Sequence, residues 1–528
     1  MGPLRKARRL WDTVRHLKPV QVYGRARFVL SRPSPDLAPP PPARALAAAP
    51  AEPAARERSL IGPSRLLLLG VERDIDDAGW DDPSIPKLWR YNLHYFDDLC
   101  AHGSGERIAW HRELIERWIR ENPPAAGTGW EPYPTSLRIV NWVKWAWRGG
   151  KLSAAAEHSL AVQARWLRKR LEWHLLGNHL FVNAKALVFA GTYFEGPEAD
   201  GWRRTGAAIL ARQIPEQILG DGGQFERSPM YHALALEDMV DLSVADAVAS
   251  LGGLGAAIRL RVPAMAAWLK AMCHPDGEIA FFNDAAIGVH PSPAELEASM
   301  VRAGFPPVPG PADGITLLPQ SGFVRLQVPG AVAIFDVGPV GPDYLPGHAH
   351  ADTLSFELSV NGRRTVVNSG TSEYGSGAER LRQRGTSAHS TVSVDGADSS
   401  EVWAGFRVAR RARPIGLEVR EEGNVLLARC GHDGFRRIRP GLDHFRELRL
   451  RPGCLEVTDE LTADGHMRAF LHWAPGAAPP AGPVRVECAG GAAVERPSTW
   501  HPAFGVIRSN VRTVIDADGR RLSVRLEW

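Results

Sequence analysis

The spacing of apolar residues along the chain changes once, near Gly314. Between about residues 85 and 305, apolar residues recur at i, i+3, i+4 and i+7 in segments such as IAWHRELIERWIREN and NHLFVNAKALVFAGTYF, a spacing that predicts amphipathic helices. Clusters of Gly, Pro and Asp separate these segments into helical hairpins. Many consecutive hairpins of helices without strands indicate an all-α toroid or bundle.

Beyond Gly314 the apolar segments are short, rich in Val, Leu and Phe, and alternate between two faces, as in GFVRLQV and LSFELSV. This alternation predicts strands. The dipeptides Asn361-Gly362 and Asp518-Gly519 each predict a two-residue hairpin turn. We therefore expect an antiparallel β-sandwich after the helices.

The N-terminal segment follows neither pattern throughout. Residues 4–30 have helical spacing, but the following SRPSPDLAPPPPARALAAAPAEPAARE has few large apolar side chains, which indicates a linker or an extended arm. The predicted domains are an N-terminal helix and arm over residues 1–84, a helical domain over 85–313 and a β-sandwich domain over 314–528.

Composition limits the classes of partner. The 528 residues carry a net charge of +4, without the long Lys/Arg runs that are typical of nucleic-acid binders and polybasic membrane anchors, so we expect no nucleic-acid partner. The five cysteines are scattered, which argues against a disulfide framework. We expect no transmembrane segment. No secretory signal is evident, so the default compartment is cytoplasmic, with export and oligomeric state left open.

Two polar clusters interrupt the helical pattern. Asn178 and His179, in HLLGNHLFVNAK, supply donors that suit a carboxylate, and Gly177 permits a break between helices. A helix cap with a backbone-bonded histidine is the alternative. Tyr231, in FERSPMYHALALEDM, is a candidate acid or base, or else an ordinary residue at the edge of the core.

Two further clusters lie in the strand region. His348 and His350, in PGHAHAD, share one face of an extended segment, as two metal ligands or an acid-base pair would. In RLRQRGTSAHSTVSV, His389 follows arginines such as Arg384, whose guanidinium groups suit carboxylate or sulfate oxygens. A solvated loop is the alternative interpretation for these arginines.

Taken together, GNH, FERSPMYH, the block from GHAHAD to VVNSG, and RGTSAHSTV followed by SSEVWAGFRV resemble the heparinase II/III family of polysaccharide lyases. The relatives of that family include alginate lyases and uronyl epimerases. The resemblance implies an N-terminal (α/α) toroid followed by a C-terminal antiparallel β-sandwich, with a cleft between them. It also implies β-elimination on an acidic polysaccharide or oligosaccharide that contains uronic acid.

The resemblance also assigns roles by position. Asn178 and His179 would neutralise the uronate carboxylate, while Tyr231 and His348 would act as acid and base, in an order that depends on the configuration at C5. Aromatic and polar residues around these motifs are the candidates for binding the sugar. They are Tyr91, Trp130, Tyr133, Arg138, Asn141, Glu226, Arg227, Tyr374, Arg384 and Trp403.

The resemblance further implies a structural zinc ion held by two histidines and an aspartate. His350 and His389 match the histidines, but Asn368 stands where the aspartate is expected. An amide is a poorer zinc ligand than a carboxylate and removes one negative charge. Without a metal, we expect the same three residues to form a hydrogen-bonded network beside the cleft.

Three other functions remain open at this point. A uronyl C5-epimerase shares the proton abstraction, and a glycoside hydrolase would use a carboxylate pair such as Glu226 and Asp284. A non-catalytic polysaccharide-binding protein of a biosynthesis system is the third. The four predicted catalytic residues favour an enzyme, because a binding surface needs no acid-base set.

Overall fold

The structure is a computed structural model that describes residues 3–479 and 482–528. The chain begins with two helices, α1 (Pro3–Val14) and α2 (Pro19–Leu30). Pro19 occupies the first turn of α2, where its missing N–H costs nothing, and the preceding Lys18 is extended. The helical spacing of residues 4–30 is therefore confirmed, with a break at the proline.

The Pro/Ala-rich stretch is an extended arm that lies along the helical domain. Because it has few large apolar side chains, polar contacts hold it: Arg165 donates to the carbonyl oxygens of Ala38 at 2.6 Å and Pro39 at 2.9 Å. A short hairpin that the sequence did not predict follows the arm. Its strands are β1 (Arg65–Leu68) and β2 (Val71–Asp74).

The helical domain contains the predicted amphipathic helices around one core. Trp118 and Trp142 are fully buried and meet edge to face, with ring centroids 5.8 Å apart. Across the described ranges, no helix has the length and apolar character needed to cross a bilayer. The helices are α3 (Ile75–Ala78), α4 (Lys87–Leu93), α5 (Ile108–Glu121), α6 (Pro132–Trp147), α7 (Ala154–Lys169), α8 (Gly177–Tyr193), α9 (Pro197–Gln217), α10 (Pro229–Val248), α11 (Gly253–Ala271) and α12 (Pro293–Arg302).

Strands dominate from Gly314 onwards, with one helix, α13 (Ala378–Arg384), among them. The strands are β3 (Gly314–Leu318), β4 (Phe323–Val328), β5 (Ala331–Asp336), β6 (Phe356–Val360), β7 (Arg363–Val367), β8 (Val392–Val394), β9 (Val402–Trp403), β10 (Arg407–Val408), β11 (Pro414–Glu422), β12 (Val425–His432), β13 (His444–Arg451), β14 (Cys454–Trp473), β15 (Arg485–Ala489), β16 (Ala492–Trp500) and β17 (Arg508–Glu527). The predicted two-residue alternation of burial is clear in β13 and in parts of β14 and β17, whereas β5, β6 and β8 are buried on both faces.

A large antiparallel sheet runs in the order β11-β12-β13-β14-β7-β6-β5-β4-β3, with β8 and β17 paired to β14. The sheet folds back so that β12 and β13 lie against β4 and enclose a second core. Trp268 of α11 packs on Phe323 of β4, with ring centroids 5.9 Å apart, and joins the two layers. The predicted toroid followed by a β-sandwich is confirmed.

The two predicted hairpin turns have different outcomes. Asn361 and Gly362 both have positive φ and join β6 to β7, as a two-residue turn requires. The prediction at Asp518-Gly519 is wrong, because both residues lie inside β17. Gly519 is opposite Gly465 where the register of β14 shifts, so this glycine marks a bulge in a long strand pair.

Candidate active site

A cavity of about 430 Å³ lies between the helical domain and the sandwich. Helices α4, α6, α8 and α10 form one wall, and sandwich loops carrying Tyr374 and Phe406 form the other. The four predicted catalytic residues come from three separate segments of the chain. All of them line this cavity: Asn178, His179, Tyr231 and His348.

A left-handed turn places Asn178 and His179 at the start of α8. Leu176 and Gly177 both have positive φ, and a Cβ on Gly177 would overlap the side chain of Leu345 from the sandwich. The positive φ and this close approach together favour glycine where the two domains meet. The unpaired N–H groups at this helix start favour an anion in the cavity.

His179 forms an ion pair with Glu172, with 3.2 Å between Nδ1 and Oε1. Burial by itself favours the neutral ring, but Glu172 and, more weakly, Glu226 raise the pKa of His179 above its ordinary value. The ring also packs against Tyr133, with centroids 4.6 Å apart. His179 is thus held as a cation beside the cavity more readily than a free histidine.

Tyr231 lies in the first turn of α10, whose start is capped by Ser228. The Ser228 hydroxyl accepts from the Tyr231 N–H at 3.2 Å and donates to the carbonyl oxygen of Asp284. The Tyr231 hydroxyl is 3.0 Å from that of Tyr374. Burial, then Tyr374 and Asp284, raise the pKa of Tyr231 well above its ordinary value, so its phenol is a proton donor at neutral pH.

His348 is oriented by Asp284, a residue that the sequence analysis considered only as half of a hydrolase pair. His348 Nδ1 donates to Asp284 Oδ2 at 2.9 Å, which leaves the Nε2 lone pair free. The imidazole packs on Tyr231, with ring centroids 4.0 Å apart. Arg380 also binds both oxygens of Asp284, which is fully buried. Asp284 does not line the cavity and cannot reach a sugar as a hydrolytic acid.

Glu226 lies between His179 and His348 and is 2% exposed. Its Oε1 accepts from Gln224 at 3.2 Å, while its buried Oε2 has no hydrogen-bond partner among the described residues. Oε2 is 3.9 Å from His348 Nε2. Burial raises the pKa of Glu226. This buried oxygen therefore lies beside the cavity without lining it.

The far end of the cavity contains charges that sequence reasoning missed. Lys185 of α8 donates to Asp238 at 2.6 Å and to Asp241 at 2.5 Å. Lys144 of α6 also pairs with Asp241. The available signal was a lysine inside each of two apolar helical segments, WVKWAW and NAKALVF, since a buried lysine requires an acidic partner. The arm contributes Arg56, which pairs with Glu237 at 2.5 Å.

Four of the ten residues predicted to bind sugar line the cavity: Tyr91, Tyr133, Asn141 and Tyr374. Tyr374 contacts Tyr231 as described above, and the Tyr91 hydroxyl donates to Glu131. The side chain of Asn141 is only partly free to bind a ligand, because its amide donates to the Tyr95 carbonyl oxygen at 2.9 Å.

The remaining six predicted sugar contacts, Glu226 among them, lie outside the cavity lining. Trp130 is buried in the helical core, and Arg138 stacks on Trp118 at 3.8 Å. Arg227 and Arg384 donate to backbone carbonyl oxygens. Trp403 instead donates to Thr13 of α1 at 3.1 Å. Such non-local partners give no periodic signal in a sequence.

A candidate metal centre lies beneath the cavity, where ligand atoms of His350, Asp352 and His389 lie within 4.8 Å of one another. His350 Nε2 donates to Asp284 at 2.8 Å, so its Nδ1 carries the lone pair that faces His389 Nε2 at 3.2 Å. Burial lowers the pKa of His350 to about 4 and that of His389 to about 3, so both rings are neutral, as zinc ligands must be.

The structure gives Asn368 a different position from the one expected. Its amide donates to the carbonyl oxygen of Phe281 at 2.9 Å and accepts from the N–H of Ser390 at 2.9 Å. It hydrogen-bonds to neither His350 nor His389, so the predicted three-residue network does not form. Asp352, in the GHAHAD motif itself, supplies the carboxylate beside the two histidines.

Two family descriptions match the chain: Heparinase II/III N-terminus over residues 150–297 and Heparinase II/III-like, C-terminal over residues 310–525. Together these ranges cover more than half of the chain. The chain therefore belongs to the heparinase II/III family of polysaccharide lyases, which confirms the resemblance of the motifs.

Individual relatives are more distant. FtsZ-localized protein C of Caulobacter vibrioides is 27% identical over 435 residues, which are 79% of this chain and 71% of that protein. A heparin-sulfate lyase of Bacteroides stercoris is 27% identical over 255 residues, but these are 42% of this chain and 36% of that enzyme. A crystal structure of heparinase III has a TM-score of 0.66 at 20% identity, covering 85% of this chain and 80% of that chain. At this level of identity, the similarity to heparinase III shows that the fold is shared and no more.

Proposed function

We propose that this protein cleaves a polysaccharide containing uronic acid by β-elimination in the cavity between its two domains. The observation that carries the proposal is the convergence of carboxylate-binding groups and an acid-base pair on one cavity. Asn178 and His179 lie on one helix start, and the packed rings of Tyr231 and His348 lie beside them. The lyase activities of relatives are consistent with this chemistry.

The first requirement of the reaction is to make the C5 proton acidic. Negative charge develops on the uronate carboxylate as that proton leaves, so donors must stabilise it more strongly in the transition state than in the ground state. The His179 imidazole, whose raised pKa favours the charged form, and the Asn178 amide are the groups that do this. The start of α8 adds a favourable dipole.

We assign His348 as the base and Tyr231 as the acid. His348 Nε2 takes the C5 proton, the C4–O4 bond breaks with its electron pair on oxygen, and the Tyr231 hydroxyl protonates O4. The products are a C4–C5 double bond and a new hydroxyl end. The proton on His348 then returns to the Tyr231 phenolate, which restores both groups for the next turnover.

The proposal is tested by following the ultraviolet absorbance of an unsaturated uronate during incubation with a panel of acidic polysaccharides. We expect a rise for one substrate class, and its loss in Tyr231→Phe with polymer binding retained, because only the phenolic hydroxyl is removed. Tyr193→Phe is the matched control, since the Tyr193 hydroxyl binds Glu157 away from the cavity.

Other outcomes would contradict the assignment. Activity of Tyr231→Phe near that of the wild type would remove Tyr231 from the mechanism. Binding without any absorbance change, but with deuterium incorporation at C5 from heavy water, would indicate a C5-epimerase. Binding with neither signal would indicate a non-catalytic binding protein.

We also propose that His350, Asp352 and His389 hold a structural zinc ion. Two imidazole nitrogens 3.2 Å apart suit a shared cation with Zn–N distances of about 2.0–2.1 Å. The ion would supply positive charge that fixes the loops beneath the cavity. Elemental analysis should give one equivalent of zinc, which Asp352→Asn loses and Asn368→Ala retains. Retention of full zinc in Asp352→Asn would exclude Asp352 as a ligand.

A further inference from the structure

The two N-terminal helices expose apolar side chains that a helix packed on a protein usually buries. A helix packed on a protein surface normally turns its apolar stripe inward. In α1, the buried residue is Asp12, while Trp11 is 63% exposed and Leu4 is 86% exposed. In α2, Tyr23 is 62% exposed and Leu30 is 81% exposed. Most large apolar side chains of both helices therefore face away from the protein; the exceptions are Val20 and Phe28 of α2, and Phe28 packs on His174 with ring centroids 4.3 Å apart.

Polar and small residues help to hold these helices against the body. In α1, the Thr13 hydroxyl accepts from Trp403, and the Arg9 guanidinium lies 4.7 Å from the Trp403 ring. In α2, Gln21 donates to the carbonyl oxygen of Tyr344 at 3.2 Å. These contacts fix which face of each helix points outward.

Gly24 makes the contact of α2 especially close. A Cβ at this position would lie 3.2 Å from the backbone nitrogen of His174. Rotating α2 to bury its apolar residues would break this approach. The close contact at Gly24 therefore keeps the outward-facing apolar side chains of α2 exposed.

The charge of the same segment is strongly positive. Residues 1–32 contain nine Lys or Arg and one Asp, a net charge of +8 in a chain whose total is +4. These residues form no continuous run in the sequence, and the same two helices carry the exposed apolar side chains; Lys18 pairs with Glu216 of α9. Lys6, Arg8, Arg25 and Arg27 are all exposed.

We propose that α1 and α2 bind the protein to an anionic lipid bilayer, lying in the plane of the membrane. A basic helical surface with exposed Trp, Tyr, Leu and Val has the composition of an interfacial membrane helix. Basic side chains attract anionic headgroups, and the outward-facing apolar side chains insert at the boundary of the acyl chains. The helices follow the surface and do not span the bilayer.

The test is flotation of the full-length protein with phosphatidylcholine vesicles, with and without phosphatidylglycerol. We expect flotation only with the anionic vesicles. Trp11→Glu combined with Tyr23→Glu should reduce the floated fraction about tenfold or more, because two apolar anchors become charged. Leu260→Glu is the matched control, since Leu260 is 77% exposed and belongs to α11, outside the two N-terminal helices.

A second variant separates the electrostatic contribution from folding. Lys6→Glu with Arg25→Glu leaves the apolar side chains in place and should also reduce flotation, as should about 1 M NaCl, where the screening length is about 3 Å. Circular dichroism and the thermal midpoint confirm that each variant folds. Absence of wild-type flotation on anionic vesicles would overturn the proposal.

Two further results would also overturn it. Equal flotation of the Trp11→Glu, Tyr23→Glu variant and the wild type would show that these helices are not the membrane contact. A wild-type dimer in light scattering that this variant converts to a monomer, without flotation of either, would show that a second copy of the chain covers the face.

Discussion

Replacing Asp284 with asparagine should expose how strongly one buried carboxylate organises the site. Burial by itself disfavours its charge, but Arg380, His348 and His350 hold the pKa of Asp284 well below its ordinary value. Asp284 and Arg380 are both fully buried. The carboxylate therefore stays ionised and accepts hydrogen bonds from all three of these residues.

The magnitude follows from what the substitution leaves behind. In Asp284→Asn, the buried Arg380 loses its counter-ion and keeps only uncharged partners, such as the Gly405 carbonyl oxygen at 3.1 Å and the Tyr374 ring. Breaking a buried ion pair by removing one partner costs about 3–5 kcal/mol of unfolding free energy. Arg380→Met should cost a similar amount. The double variant leaves no unpaired charge, so its loss should not exceed that of either single variant.

Denaturant unfolding of the two single variants and the double variant measures this coupling as a double-mutant cycle. We expect a coupling of about 3 kcal/mol or more. The control cycle is Glu379→Gln with Arg382→Met, a partly exposed pair whose expected coupling is at most about 1 kcal/mol. Additive losses at Asp284 and Arg380 would refute the reasoning. In the same samples, Asp284→Asn should lower kcat by about 10²–10⁴, since His348 loses the partner that fixes its tautomer.

Two further predictions concern single substitutions. Glu172→Gln should lower the pKa of His179, so that KM begins to rise at a lower pH than in the wild type; an unchanged KM–pH profile would contradict the role of the imidazolium. The same sign applies to stability: because Glu172 raises the folded-state pKa of His179, the pair stabilises the protein below the ordinary histidine pKa, and this contribution is lost as pH rises through the folded-state value. Gly206→Ala should lower the thermal midpoint, because its Cβ would overlap the Ala184 carbonyl oxygen, whereas Gly201→Ala in the same helix should be neutral or stabilising by up to about 1 kcal/mol. Equal midpoints for the two alanine variants would contradict this packing argument.

The sequence predicts elements that depend on local periodicity and misses contacts that depend on the tertiary fold. The helices, most strands and the Asn361-Gly362 turn follow from spacing and turn chemistry. Asp518-Gly519 has the same local chemistry as a hairpin turn, but pairing with β14 keeps β17 continuous. Local propensity therefore fails where a long partner strand supplies the hydrogen bonds on both sides of the glycine.

The site shows the same division. His348 and His350 were predicted to share a face because they are two residues apart in an extended segment, and both do bind one carboxylate. That carboxylate, Asp284, is 64 residues from His348 in the chain, so no spacing rule reveals it. Asn368 was placed in the metal set by position in the motif, whereas the structure brings Asp352 to the two histidines.

The geometry of Asp284 also separates the proposed zinc ion from the proposed chemistry. His350 uses Oδ1, while His348 uses Oδ2, the oxygen that Arg380 Nη2 also binds at 2.7 Å. Loss of the metal frees His350 but leaves Arg380 to hold the oxygen that orients His348. We therefore expect a chelator to lower the thermal midpoint while kcat, measured below that midpoint on the same sample, changes less than about twofold. A fall in kcat in proportion to zinc occupancy would show that the orientation of His348 depends on the metal.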